Sequence, residues 1–400
     1  MNDSGTVVGD AGAGPVVAGA SDASVVFVRG AGCGTIDAGM VSDDGGTPAW
    51  LVGAPLGGFV AIVGSQGPGV AVDAWGGFTL KADTSELFFL ATGGHGDSSD
   101  NRVVSIALLA DAPRWVLRCT PSTHPIVNGG YYDDGAPGLN MKPGSTHTYD
   151  YTAWVPQAAG GRGRLMRFGM FGTWPNGFGA QNVDGFDPVA NAWDQPGTWP
   201  DTTGVGGTAR DAETGEVYVA GGSKKITPDA GLVSATGVQT VRFPNAYDSL
   251  RHAIFGLIFG DGQGYDLNLG VVARLNDLRA HTSVSITFNP SAALTQFTHD
   301  QPTYAGMDYD PLNDRYLFYS AGDNSTSPFT PKPDRIFVIT PNATTRWDMS
   351  LLTLAGSVVP AMPPTSGSGI NGRFKYVPRL KGFVLLPSQT SPLYFLKTSN

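Results

Sequence analysis

Cysteine is nearly missing from this sequence of 400 residues: Cys33 and Cys119 are the whole supply. Disulfides therefore cannot be the main source of stability, and without a CxxC pair the chain lacks the usual start of a zinc site. Charge is thin as well. Charged residues make up 15%, acidic outnumber basic by 34 to 25, and the formal charge is -9. That balance supplies no dense basic face for phosphates, so nucleic acid is not an expected partner. Arg162, Arg164 and Arg167 form the one noticeable basic cluster. Alternate residues of a strand share a face, so Arg162 and Arg164 are expected side by side in solvent.

Long apolar runs are also wanting: none approaches the roughly 18 residues that cross a bilayer, so no membrane span is expected. The six histidines fall into neither HxH nor HExxH, so neither a metal site nor a cofactor is expected. The opening MNDSGTVVGDAGAGPVVAGASDAS has neither the basic start nor the apolar core of a secretory signal. With Met1 as the start, the chain is expected to be made in the cytoplasm and to remain there, or to leave by assembly into something larger such as a virion.

Helical periodicity is scarce; the best candidate, Leu275 to Ala280, is too short to set an architecture. What is abundant is turn chemistry. Glycine contributes 56 residues and proline 29, while hydrophobic residues still reach 41%. Many short strands joined by Gly-rich turns satisfy both facts.

The strands recur in a fixed order. Gly76-Gly77-Phe78 leads through a turn at Ala82 to Glu86 into Leu87-Phe88-Phe89-Leu90, then Gly93-Gly94, Arg102 to Ile106 and Arg114 to Leu117. Similar order returns at Thr208 to Gly222 and at Met307 to Trp347. Looser versions run from Tyr151 to Trp193, His252 to Phe288 and Phe374 to Leu396. Taking Gly76, Thr152, Gly207, Ala253, Gly306 and Gly372 as equivalent marks gives intervals of 76, 55, 46, 53 and 66 residues. These bracket the roughly 40 to 50 residues of a four-stranded propeller blade. One such sheet cannot bury both faces alone, whereas a ring of them buries each face on a neighbour. The expected fold is all-β: a β-propeller of six or seven four-stranded blades with an N-terminal extension. Residues 1–45 are read as a Gly/Ala-rich arm able to dock on a neighbour, and 46–400 as the propeller. A strand at Ala49 to Val52 or Phe59 to Val63 is expected to complete the last blade.

Val72-Asp73-Ala74-Trp75-Gly76-Gly77-Phe78, Gly93-Gly94-His95-Gly96-Asp97 with Asn101, Arg114-Trp115 and Gly372 to Pro378 resemble the kelch-like, galactose-oxidase-type propellers, with uncharacterised bacterial and phage-encoded members nearest. The likeness spans about residues 70 to 400 and implies a fold rather than an activity. The chain departs from copper radical oxidases of that type. They need a Cys cross-linked to Tyr near the axis, while Cys33 lies outside the blades and Cys119 follows an outer strand.

Candidate ligand-binding residues are His95, Asp97 and Asn101 in one Gly-rich turn, and Trp174 and Asn176 in an aromatic loop, because blade-connecting turns gather at the channel mouth. The alternatives are that His95 and Asn101 satisfy turn backbone and that the aromatics cap blades. Ser42 to Trp50 approaches a sialidase Asp-box but is out of register and occurs once. No catalytic set is legible. The expected role is a non-enzymatic interaction or structural module, a phage tail or head-surface component or host-surface binding protein. Its expected partners are other virion or surface proteins, through the arm, and a glycan. The alternative is a carbohydrate-active hydrolase or lyase with its site at the channel mouth.

Overall fold

The computed structural model describes residues 29–33, 46–70, 72, 75–93, 98–123, 126–127, 130–133, 141–168, 182–201, 208–219, 224–234, 244–258, 272–300, 302, 305–320, 322–323, 330–361 and 369–400. Strands dominate them, and nearly every pairing is antiparallel. The first sheet is the meander Thr79–Lys81, Glu86–Leu90, Val103–Ala107 and Val116–Cys119. The second runs Thr152–Val155, Arg164–Arg167, Asp184–Asp187 and Ala192–Asp194. A third follows with Ala209–Arg210, Val217–Val219, Lys224–Ile226 and Leu232–Ser234.

The next sheet has eight strands and divides into two meanders of four. The fourth unit is Asn245–Asp248, Ala253–Ile258, Val272–Asp277 and Thr282–Phe288. Gly306–Asp310, Arg315–Tyr319, Ile336–Thr340 and Arg346–Leu351 make the fifth. Their outer strands join in parallel, Thr287 opposite Arg346 and Phe288 opposite Trp347. The sixth unit, Phe374–Val377, Gly382–Leu385 and Tyr394–Lys397, takes its fourth strand from the other end of the sequence: Phe59–Ala61 pairs with it, Phe59 opposite Leu396.

The hydrophobic core is divided among the gaps between sheets. Phe88, Leu90 and Val103 of the first sheet meet Leu165, Phe186 and Trp193 of the second. Val155 and Met166 meet Val217 and Ile226 across the next gap, and Tyr218 meets Ile254 across the third. Phe255 and Leu257 pack on Tyr316, Phe318 and Trp347, and Leu317 and Tyr319 pack on Phe374 and Phe383. The cycle closes where Val384 and Phe395 of the sixth sheet pack on Phe89 and Ile106 of the first. Each sheet buries both faces on its neighbours, the arrangement of a β-propeller. Trp193 and Trp347, each on the outer strand of its four-stranded meander, fill two of these gaps.

Several expectations need correction. Leu275 to Ala280 is not helical: Val272–Asp277 is a strand, and the longest helix among the described residues is Ala292–Asp300, which the periodicity did not flag. Ala253 marks a second strand rather than a first, since its sheet begins at Asn245. Arg162 is exposed as expected, but Arg164 is not solvated, and Arg167 is buried as well. Arg164 Nε donates to both oxygens of Asp194 at 2.9 and 3.0 Å, and Arg167 Nε donates to Asp184 Oδ2 at 2.9 Å, all in the interior.

Within the segment read as an N-terminal arm, Arg29–Gly32 pairs with Ala192–Asp194 as a fifth, outermost strand of the second sheet. Cys33 follows it and is bonded to Cys119 at the end of the first sheet's outer strand. The bridge fastens two adjacent sheets at their rims across 86 residues of sequence. Closing a loop of that length restricts the unfolded chain, so replacing both cysteines with alanine should lower stability by about 2–4 kcal/mol. Urea unfolding of the two proteins checks it; coincident midpoints would refute the contribution.

Candidate functional site

Among the described residues, the first strands of these sheets pack on one another in turn, toward a common axis. A cavity of about 160 Å³ lies among them, lined by Phe78, Thr79, Leu80, Ala82, Thr152, Ala153, Trp154, Thr208, Ala209, Arg210, Asn245, Ala246, Tyr247, Asp308 and Lys375. Asp308 stands between Met307 and Tyr309, which enter the core between the fourth and fifth sheets. Lys375 likewise stands between Phe374 and Tyr376, which enter the core between the fifth and sixth. Alternation turns each residue away from that gap and toward the next sheet, and Asp308 there meets the backbone of Tyr376.

The charges are few and mutually engaged. Asp308 Oδ1 accepts the Tyr309 N–H at 2.9 Å, and its Oδ2 accepts the Tyr376 N–H at 2.8 Å. Burial raises the Asp308 carboxyl above its ordinary value, opposed by the Lys375 ammonium and these two N–H groups. Asp150, just before the second sheet's first strand, accepts Asn245 Nδ2 on Oδ2 at 3.1 Å. Burial pushes its carboxyl up to about 6, with Lys375 again the opposing charge. Arg210 is held below its ordinary value by burial and steadied by Asp211, Tyr247 and Asp83.

Thr79 Oγ1, Trp154 Nε1, Thr208 Oγ1 and Asn245 Oδ1, on residues that line the cavity, and Asp150 Oδ1 are buried atoms that no hydrogen bond reaches among the described residues.

Asp150 yields a test in solution. Its folded pKa of about 6 lies above the ordinary 3.8. Between those values the native protein holds a proton that the unfolded chain does not, so stability rises as pH falls from 7 toward 4. At 1.36 kcal/mol per pKa unit, this carboxyl contributes about 3 kcal/mol of that rise. Urea unfolding at pH 4.5 and 7 should therefore show Asp150→Asn more stable relative to wild type at pH 7 than at 4.5. An equal difference at both pH values would show Asp150 to be unperturbed.

Of the residues singled out from the sequence, His95, Asp97, Trp174 and Asn176 lie outside the described residues. Asn101 is fully buried away from the cavity lining. Its Nδ2 donates to Ser122 Oγ at 3.0 Å and to the Pro143 carbonyl at 2.9 Å, while its Oδ1 accepts the Ser122 N–H at 2.8 Å. The axial residues were missed, although a signal existed. Asp308 and Lys375 are polar residues inside the first strand of a repeat, flanked by apolar residues, where alternation on a solvated sheet gives no reason for them, while Asn245 carries no such mark. The disulfide consumes both cysteines, which leaves no thiol for a Tyr–Cys cross-link. Among the described residues no group of three or more His, Cys, Asp or Glu could hold a metal ion, and no helix is long and apolar enough to cross a membrane.

No protein-family model matches the chain, and no curated protein matches it. Among solved structures, U3-55K is similar over 84% of this chain and 98% of its own, at 10% identity and a TM-score of 0.41. The GH74 xyloglucanase from Xanthomonas campestris is similar over 81% of this chain and 55% of its own, at 12% identity and a TM-score of 0.33. Virginiamycin B lyase from Staphylococcus aureus is similar over 82% of this chain and 96% of its own, at 11% identity and a TM-score of 0.34. At these scores none bears on what the chain binds or does.

Proposed function

We propose that this chain is a six-bladed, kelch-like β-propeller that binds a small polar ligand in its axial cavity without transforming it. One observation carries the reading: Asp308, the one carboxylate among the residues that line the cavity, has both oxygens held by N–H groups of the backbone. Glycoside hydrolysis needs a pair of carboxyl groups free to give, take or attack. A single, fully engaged carboxylate supports recognition rather than turnover.

The module is further proposed to work at the surface of a phage particle or on a host envelope. The Cys33–Cys119 bond supports service outside a reducing cytosol, where disulfides persist. The assignment to a virion itself rests on the sequence resemblance.

The test pairs retention with product analysis. The full chain should be retained by one or more bacterial capsular or lipopolysaccharide glycans and release no shortened product. Product release would overturn the non-enzymatic reading in favour of a hydrolase or lyase. Failure to co-sediment with particles would remove the virion role and leave the binding module in place.

A further inference from the structure

The fifth strand of the second sheet is built unlike the four it joins. Arg29–Gly32 reads Arg-Gly-Ala-Gly, so two of its four residues are glycine and none carries a large apolar group to offer a core. Glycine inside a strand loses much backbone freedom and packs nothing in return. The ladder is short as well. Arg29 pairs with Asp194 and Gly32 with Ala192, with an irregularity between them, and the Cys33 N–H donates to the Asn191 carbonyl at 3.1 Å. Among the described strands it makes no second ladder: Met141–Pro143 comes near it without pairing to it. Ordering each residue costs at least as much as a net hydrogen bond in water returns, so this pairing does not hold the strand by itself.

The hold comes from the residue that follows. Cys33 is buried between the first and second sheets with Phe88, Leu90, Trp154 and Trp193, and it is bonded to Cys119. Cys119 is the last residue of Val116–Cys119, which pairs along the first sheet, Cys119 itself opposite Val103. The bond therefore ties a poorly held strand to a well-held one. Closure of the cycle of sheets does not use it, since Phe59–Ala61 closes the cycle on the sixth sheet.

We propose that Cys33–Cys119 is a redox clasp on the N-terminal segment: oxidised, it keeps Arg29–Gly32 on the second sheet, and reduced, it lets that strand leave while the six sheets stay folded. The inference goes beyond the binding-module reading and does not depend on what the cavity takes. The reductant is a dithiol. Two electrons and two protons pass from it to the bridge, the S–S bond breaks into thiols at Cys33 and Cys119, and the dithiol closes into its own disulfide. Both cysteines are buried, so the dithiol reaches them when the weak strand opens. In a reducing cytosol the residues ahead of Cys33 are then untethered, and in oxidising surroundings they are fixed at the rim of the second sheet.

Hydrogen–deuterium exchange of the full chain, read by mass spectrometry, tests it on the wild type with and without dithiothreitol and on Cys33→Ser and Cys119→Ser. Amides of residues 29–33 should exchange at least about tenfold faster in both variants and in the reduced wild type than in the oxidised protein, as a locally opened segment does. Those of Thr152–Val155 and Arg164–Arg167 should stay protected over the same interval, and reoxidation should restore slow exchange at 29–33. Equal rates at 29–33 with and without the bridge would overturn the proposal, because the strand then holds itself. So would exchange of 29–33 together with the inner strands, because the bond then staples the whole fold. A bridge that dithiothreitol leaves intact in the folded protein, by thiol counting, would overturn it too, since a clasp that never opens is no switch. Retention of glycans by the oxidised chain decides the binding-module reading separately.

Discussion

Gly77→Ala should abolish cooperative folding or remove more than about 4 kcal/mol of stability. Gly77 precedes the first strand of the first sheet at the point where three sheets meet around the axis. The Tyr149 N–H donates to the Trp75 carbonyl at 2.8 Å, and the Gly372 N–H donates to the Tyr149 carbonyl at 3.1 Å. Thr148 Oγ1 also accepts the Gly77 N–H at 2.8 Å. A methyl group on Gly77 would overlap the Tyr149 carbonyl oxygen outright and lie 3.1 Å from Gly372 Cα. Both neighbours are backbone and cannot rotate away. Gly372→Ala meets the same carbonyl from the other side at 2.6 Å and should cost about 1–3 kcal/mol, the range for forcing extra volume into a packed interior. Equilibrium unfolding of both variants checks the order. A Gly77→Ala protein that unfolds at the wild-type midpoint would mean the three sheets do not interlock at this point.

Arg167→Met is the second large effect, about 3–5 kcal/mol of stability lost. The guanidinium donates to Asp184 Oδ2, reaches the Ala91 carbonyl of the first sheet at 3.1 Å and lies 5.5 Å from the Trp193 ring centre. Tyr131 donates to the other Asp184 oxygen at 2.6 Å. Removing the arginine strands a buried carboxylate with a single phenol for company. That desolvated charge accounts for most of the loss, so Arg167→Met with Asp184→Leu should recover much of it. Chemical denaturation of the singles and the double closes the cycle. A single variant costing under about 1 kcal/mol would place the pair among weak surface bridges instead.

The same residues show how far the sequence could be read. Order within each repeat was legible because short apolar strands and Gly-rich or Asp-rich turns leave a local imprint. Glu86–Leu90, Arg315–Tyr319 and Gly382–Leu385 fall on runs recognised from composition alone. The start of the fourth unit was displaced because Asn-Ala-Tyr-Asp has no apolar run to announce it; its side chains turn to the axis and to Asp211, to which Tyr247 donates at 2.9 Å. Arg164 was misread for a related reason. Alternation says which residues share a face, but whether that face meets water depends on a neighbour far along the chain, and for Arg164 that neighbour is Asp194. The axial cavity is non-local in the strongest sense. Each sheet contributes between one and four of the lining residues, and those of different sheets lie far apart in sequence, so only the closed cycle brings Asp308 and Asn245 to one space.

The parallel seam between Thr282–Phe288 and Arg346–Leu351 has a dynamic consequence. Among the described strands no other two units are joined by strand pairing, so elsewhere an outer strand can loosen without breaking a ladder shared with the next unit. At the seam that independence is lost: releasing either outer strand also breaks the N–H to carbonyl bonds that Thr287 and Asn289 make to Thr345 and Trp347. Amide protons of the fourth and fifth units near this seam should exchange with solvent at a common rate, as one opening event.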